Sequence, residues 1–221
     1  MKKTKAFTLI ETLIVIVVFC IGILTVLYWL SQTLRNKEYA NTQIQSAFFA
    51  REWIELMFNL RDANYHKELP WNCIFEWKDS LDPEYGCIKF FEPNQVLKLD
   101  IGDNDRDNDK YIKIIDVSDT SKIWDLKKDE DFEKTFEAYQ IYKHTQDNGT
   151  TFVYNHDSNN GEETWFARYI VIKGVDSDEW EINDKLLKIE SHVLYKKWIF
   201  KWEKVMETFI GNYEFNDNIL F

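Results

Sequence analysis

Lys5-Ala6-Phe7-Thr8-Leu9-Ile10-Glu11-Thr12-Leu13-Ile14-Val15 is the stretch on which the reading of this chain turns. A short basic leader ends at Ala6. An apolar run then begins at Phe7 and reaches Leu30 with Glu11 as its only charge. As a helix rising 1.5 Å per residue, that run covers about 36 Å, enough to cross the hydrocarbon core of a bilayer with some tilt. A secretory signal peptide has a shorter apolar region and a small-residue cleavage site after it; here the small residue, Ala6, comes first. Lys2, Lys3 and Lys5 favour a cytoplasmic N-terminus, which sends everything after Leu30 outward. An unpaired carboxylate at the edge of the apolar region costs about 2–3 kcal/mol, so Glu11 points either to a partner or to a place at the headgroup level.

The helical pattern continues past the apolar run. No proline occurs before Pro70, and Gly22 is the only glycine in that span. Phe49, Trp53, Leu56, Met57 and Leu60 recur at helical spacing and form one apolar stripe, with Arg51, Glu52, Glu55 and Arg61 mostly off it. The pattern predicts one helix from about Phe7 to about Arg61. The chain then divides into a leader (1–6), a lipid half of the helix (7–30), an outer half (31–62) and a β-rich domain (63–221). Strands are expected at Cys87–Phe91, Val96–Ile101, Tyr111–Val117, Thr151–Tyr154, Trp165–Lys173, Leu186–Tyr195 and Lys204–Ile210, because these runs alternate or are rich in β-formers between polar turns. A short helix is expected at Asp129–Gln140. The fold class is α+β: a long N-terminal helix packed on a C-terminal antiparallel sheet.

Ala6, Phe7 and Glu11 carry a resemblance to type IV prepilins and the related pseudopilins. That family has a basic leader, a small residue at the cleavage point (more often Gly than the Ala6 found here), Phe as first mature residue and Glu at the fifth. The segment Leu60-Arg61-Asp62-Ala63-Asn64 also resembles the end of the long helix in some minor pilins. The resemblance implies a prepilin peptidase that cuts between Ala6 and Phe7 and methylates the new Phe7 amine. It implies assembly with other pilin or pseudopilin subunits through an inner-membrane assembly platform, into a type IV pilus or a type II secretion pseudopilus. Glu11 would then meet the positive Phe7 amine of a neighbouring subunit in low dielectric, a pairing that selects register. The implied role is structural, not enzymatic. The rival is a single-pass, signal-anchored surface protein whose β domain binds a ligand.

Acids outnumber bases 38 to 27. Without the three leader lysines the balance is 24 to 38, a net charge of −14. So acidic a chain argues against nucleic acid as a partner, since phosphate-backbone binding needs clustered Lys and Arg; membrane lipid is the expected one. Cys20 lies in the apolar run. Cys73 and Cys87 flank a turn-like Asp82-Pro83-Glu84-Tyr85-Gly86, and two readings stand: a disulfide, or two free thiols. Asp103, Asp105, Asp107 and Asp109 likewise admit calcium, which hard alternating oxygens suit, or a solvated loop without the EF-hand pattern. The four histidines are scattered, no phosphate loop or nucleophile motif occurs, and the abundant aromatics are expected in the core and in cross-strand pairs.

Overall fold

The computed structural model describes residues 9–74, 87, 89–103, 110–119, 126, 128–146, 151–176 and 182–212. It comprises two compact units, Met1–Gln45 and Ser46–Phe221. Helix α1 (Leu9–His66) belongs to both. In the first unit, every side chain from Leu9 to Leu30 is exposed, and the helix is long and apolar enough to cross a membrane. Its threonines suit that setting. Thr12, Thr25 and Thr33 donate their hydroxyls to the carbonyls of Leu9, Ile21 and Trp29, each at 2.8–2.9 Å, so none carries an unsatisfied donor into lipid.

In the second unit, α1 buries Ser46, Ala50, Trp53, Met57, Leu60, Arg61 and Asn64. This stripe contains the expected Trp53, Met57 and Leu60, with Leu56 and Phe49 packed at its margin. Arg61 departs from expectation: it lies on the buried face, its guanidinium 5.0 Å from the Phe58 ring and its Nη2 2.6 Å from Asp62. The helix also continues past Arg61 to His66. It stops there because Leu69 N–H donates to the Asn64 carbonyl and Glu68 N–H to that of Tyr65, the two bonds of a Schellman cap. Pro70 follows. Glu68 holds φ 57°, a left-handed conformation that ordinarily falls to glycine. Glu68→Gly is therefore expected to stabilise the domain by about 0.5–1 kcal/mol, read as a rise in urea midpoint.

The remaining elements are β1 (Cys73–Ile74), β2 (Lys89–Phe90), β3 (Gln95–Asp103), β4 (Lys110–Asp119), α2 (Asp129–Tyr139), β5 (Gln140–Gln146), β6 (Thr151–Asn155), β7 (Glu162–Asp176), β8 (Ile182–Lys197) and β9 (Phe200–Gly211). β1 and β2 form a small separate pair. The other seven strands make one antiparallel sheet centred on β7. One edge of β7 pairs with β8 along most of its length, and β9 follows β8. Its other edge is shared: β5 takes the first half, at Glu162–Ala167, and β3 takes Ile170–Ile172. The expected strands are present, mostly longer than the sequence suggests; Cys87–Phe91 shrinks to Lys89–Phe90. β1 and β5 were not expected. β5 escapes notice because α2 passes into it without a glycine or proline, the backbone simply switching at Gln140 to φ −58°, ψ 140°.

Alternation along β7 sends Tyr169 to one face of the sheet and Arg168 to the other. On the Arg168 face the guanidinium lies over Trp53 of α1. On the Tyr169 face the ring meets Tyr139 of α2, with centroids 4.9 Å apart. α2 buries Phe132, Thr135, Phe136 and Tyr139 at helical spacing, and Asp129, Glu130 and Asp131 in its first turn complement the helix dipole. The second unit thus has three layers: outer α1, sheet, α2. Most of the buried aromatic rings lie between them. Trp165, Trp198, Phe200 and Phe209 lie outside these layers and are exposed.

Candidate functional site

Ala6 and Phe7 lie outside the described residues. Glu11 stands in the first turn of α1, exposed and flanked by apolar side chains. The shallow depression lined by Phe48, Phe49, Arg51, Glu52 and Glu55 gathers no nucleophile and base. Among the described residues no three His, Cys, Asp or Glu side chains could hold a metal ion. Asp105, Asp107 and Asp109 lie outside those residues; Asp103 ends β3, and its side chain is not described.

What holds the outer half of α1 to the sheet is a charge that sequence reasoning missed. Arg168 is 1% exposed. Its Nη1 donates to Glu52 Oε2 at 2.7 Å and its Nη2 to the Tyr154 carbonyl at 3.0 Å. Its guanidinium stacks 4.7 Å from the Trp53 ring centroid and 5.7 Å from that of Phe49. His156 adds a ring contact to Trp53 and a 3.1 Å bond from Nε2 to the Arg168 carbonyl. The planar fork and weak hydration of arginine fit such a site better than lysine would. The available signal was a lone charge inside Phe166-Ala167-Arg168-Tyr169-Ile170, where a buried strand is otherwise apolar.

The opposite face carries a second polar network. Glu190, 4% exposed, accepts from Lys173 at 2.7 Å and Lys188 at 3.0 Å, and Lys188 also reaches Glu207 at 3.0 Å. His192 lies between Glu203 at 2.6 Å and Glu190 at 3.4 Å, its ring stacked on Tyr169. Burial, then the charge of Glu203, pushes the Tyr169 phenol far above its usual range, so it stays neutral. At α2, Glu133 joins Lys196 and Lys201. Burial works to raise the Glu190 carboxyl, but hydrogen bonds from Lys173 and Lys188 outweigh it and hold the group below 4.5. Glu133 is held below 4.5 by hydrogen bonds from Lys196 and then Lys201. Both groups are more acidic folded than unfolded, so their stabilisation is complete above the unfolded value and is lost as pH falls through the folded values. Thermal melts should therefore fall on acidification below about pH 4.5. Glu190→Gln should lower Tm at neutral pH and flatten that acid limb; an unchanged limb would refute this account.

Cys73 and Cys87 are joined in a disulfide, Cα atoms 5.4 Å apart. Asn64, fully buried in the last turns of α1, fixes the approach: its Nδ2 donates to the carbonyls of Trp71 at 3.1 Å and Cys73 at 2.8 Å. The chain reversal after the helix and the start of the cross-linked loop are thus tied to one side chain. A loop of this length restricts the unfolded chain by about 3 kcal/mol. Reduction should lower the urea midpoint accordingly, and Cys73→Ser should reproduce the shift without reductant.

Against known proteins, residues 1–27 match the prokaryotic N-terminal methylation motif. No curated protein and no solved structure matches the chain. The match covers the leader, Ala6, Phe7, Glu11 and most of the apolar run. A long apolar N-terminal helix leading to a C-terminal antiparallel sheet is the architecture that such a motif precedes in pilins. The leader and the first half of the long helix thus carry the type IV prepilin signature at residues 1–27.

Proposed function

We propose that this chain is a minor subunit of a type IV pilus or of a related secretion pseudopilus. In this reading the N-terminus lies in the cytoplasm and the second unit outside the cytoplasmic membrane. Prepilin peptidase cuts between Ala6 and Phe7 and methylates the Phe7 amine. The assembly platform then draws the subunit from lipid into a filament, where Glu11 pairs with the Phe7 amine of a neighbour. The observation that carries the reading is the methylation motif at residues 1–27 continuing without a break into a helix whose later turns are built into a β domain. A large outer domain with long acidic loops suits a minor subunit that primes or caps assembly, or presents a binding surface, better than the abundant one.

Mass spectrometry of the N-terminal peptide, from membranes and from sheared surface material, tests it. A peptide beginning at N-methyl-Phe7 in the sheared fraction is the expected result. A chain that still begins at Met1, found only in membranes, would overturn the reading and favour a signal-anchored surface protein.

A further inference from the structure

Within the second unit, α1 enters beside the start of β7. Phe49 packs on Phe166 and Tyr154, Trp53 follows on Arg168, and Tyr65 reaches Asn212, just past β9, at 2.6 Å. Phe166 pairs with Tyr195, and Lys197 with Phe200. The two-residue turn Trp198-Ile199 between β8 and β9 therefore projects from the end at which α1 enters. Large apolar side chains crowd that end. Trp198 is 78% exposed, Ile199 86% and Phe200 62%, and Phe48, Phe152 and Trp165 are exposed around them. The turn also forgoes the residues a tight hairpin favours. Trp198 holds φ 55°, a conformation that ordinarily falls to Gly, Asn or Asp and is costly for a bulky side chain. Strain kept at an exposed position points to a use outside the fold.

We propose that this tip seats in the headgroup layer of the bilayer that α1 spans and holds the second unit down on the membrane surface. Tryptophan and phenylalanine flanked by lysine suit the boundary between headgroups and acyl chains, where rings find apolar contact and ammonium groups stay wet. Lys197 lies over the Trp198 ring, its Nζ 5.5 Å from the centroid. Glu133 compensates Lys196 and Lys201, so the rings rather than net charge carry the contact. A two-residue tip is convex, and a fluid interface accommodates it without a matching pocket. Reach is adequate. Between Leu30 and Phe49 a helix rises about 28 Å, of which the hairpin returns about 10 Å and the headgroup layer about 6 Å. A lean toward the sheet within the roughly 0–40° tilt of spanning helices closes the rest. The inference rests on α1 spanning the membrane and not on filament entry, so N-terminal mass spectrometry and the test below can fail independently.

Spin labelling of the full chain, one copy per phosphatidylcholine bilayer disc, tests it in a Cys20→Ser background, because Cys20 is an exposed free thiol. Relaxation by oxygen relative to a water-soluble nickel chelate should be several-fold greater for a label at Lys197→Cys than at Glu92→Cys. Glu92 is exposed just before β3, at the opposite end of the sheet. Adding Trp198→Asn and Ile199→Gly to Lys197→Cys removes both apolar side chains and supplies residues that favour the left-handed turn. The ratio should then fall to that of Glu92→Cys while the melting temperature holds or rises. Equal ratios at the two positions, a ratio that survives the double substitution, a melting temperature that falls with it, or a raised ratio only in discs holding two copies would each overturn the proposal.

Discussion

Glu11→Leu is expected to remove the chain from sheared filaments while leaving its amount in the membrane unchanged or higher. The two halves of that outcome have one cause. In lipid, leucine relieves the cost of a carboxylate, about 2–3 kcal/mol, so anchoring improves. In a helical bundle the same substitution leaves the Phe7 amine of a neighbour buried without its counter-charge, and an uncompensated buried charge costs about 3–5 kcal/mol. That difference corresponds to a hundred-fold or more in equilibrium. Immunoblots of membrane and sheared fractions, normalised to a major subunit, would show it. Equal incorporation of Glu11→Leu and the unaltered chain would mean that Glu11 plays no part in assembly.

Arg168→Ala should be among the most damaging substitutions in the β domain, at about 3 kcal/mol and roughly 10 °C in Tm. Most of the loss arises on the buried side. A cavity opens against Trp53 and Phe49, and the Tyr154 carbonyl loses its donor. The Glu52 side chain is 38% exposed and can turn to water, so the Coulomb part of the loss is screened and small. Arg168→Met should therefore do better than Arg168→Ala by refilling the cavity, and Arg168→Met with Glu52→Leu should recover most of the stability. Urea unfolding followed by Trp fluorescence measures all three. If Arg168→Ala and Arg168→Met lose equally, the ion pair dominates and packing does not.

The elements legible in the sequence are those whose hydrophobic period is long and uninterrupted. α1 has helical spacing through Phe49, Trp53, Met57 and Leu60 with no proline until Pro70, so its existence was plain and only its end was misjudged. That end is set by a Schellman cap at Glu68, where no glycine announces it. β7, β8 and β9 were legible through their alternation. β5 was not, because Gln140–Gln146 is short and polar and follows α2 without punctuation. Ala6, Phe7 and Glu11 could be read because their signal is local in sequence. Arg168 and Glu52 stand 116 residues apart, and Glu190 meets Lys173 from the neighbouring strand. Such partnerships exist only once the sheet has assembled.

The shared edge of β7 sets an order of events for a chain made from its N-terminus. Gln95–Leu97 of β3 pair with Ile172–Ile170, more than seventy residues later, and β5 must wait for the same strand. Until β7 has emerged, β3, β4, β5 and β6 can form only their own hairpins, and isolated hairpins are marginal in water. Unpaired strand edges in such incomplete species invite association with other chains. Closure of the domain is therefore a late step, reached when β7, β8 and β9 close as a meander on what came before. A truncation that ends before β7 should yield material that is degraded or aggregated, whereas one ending after β9 keeps every pairing among the described strands.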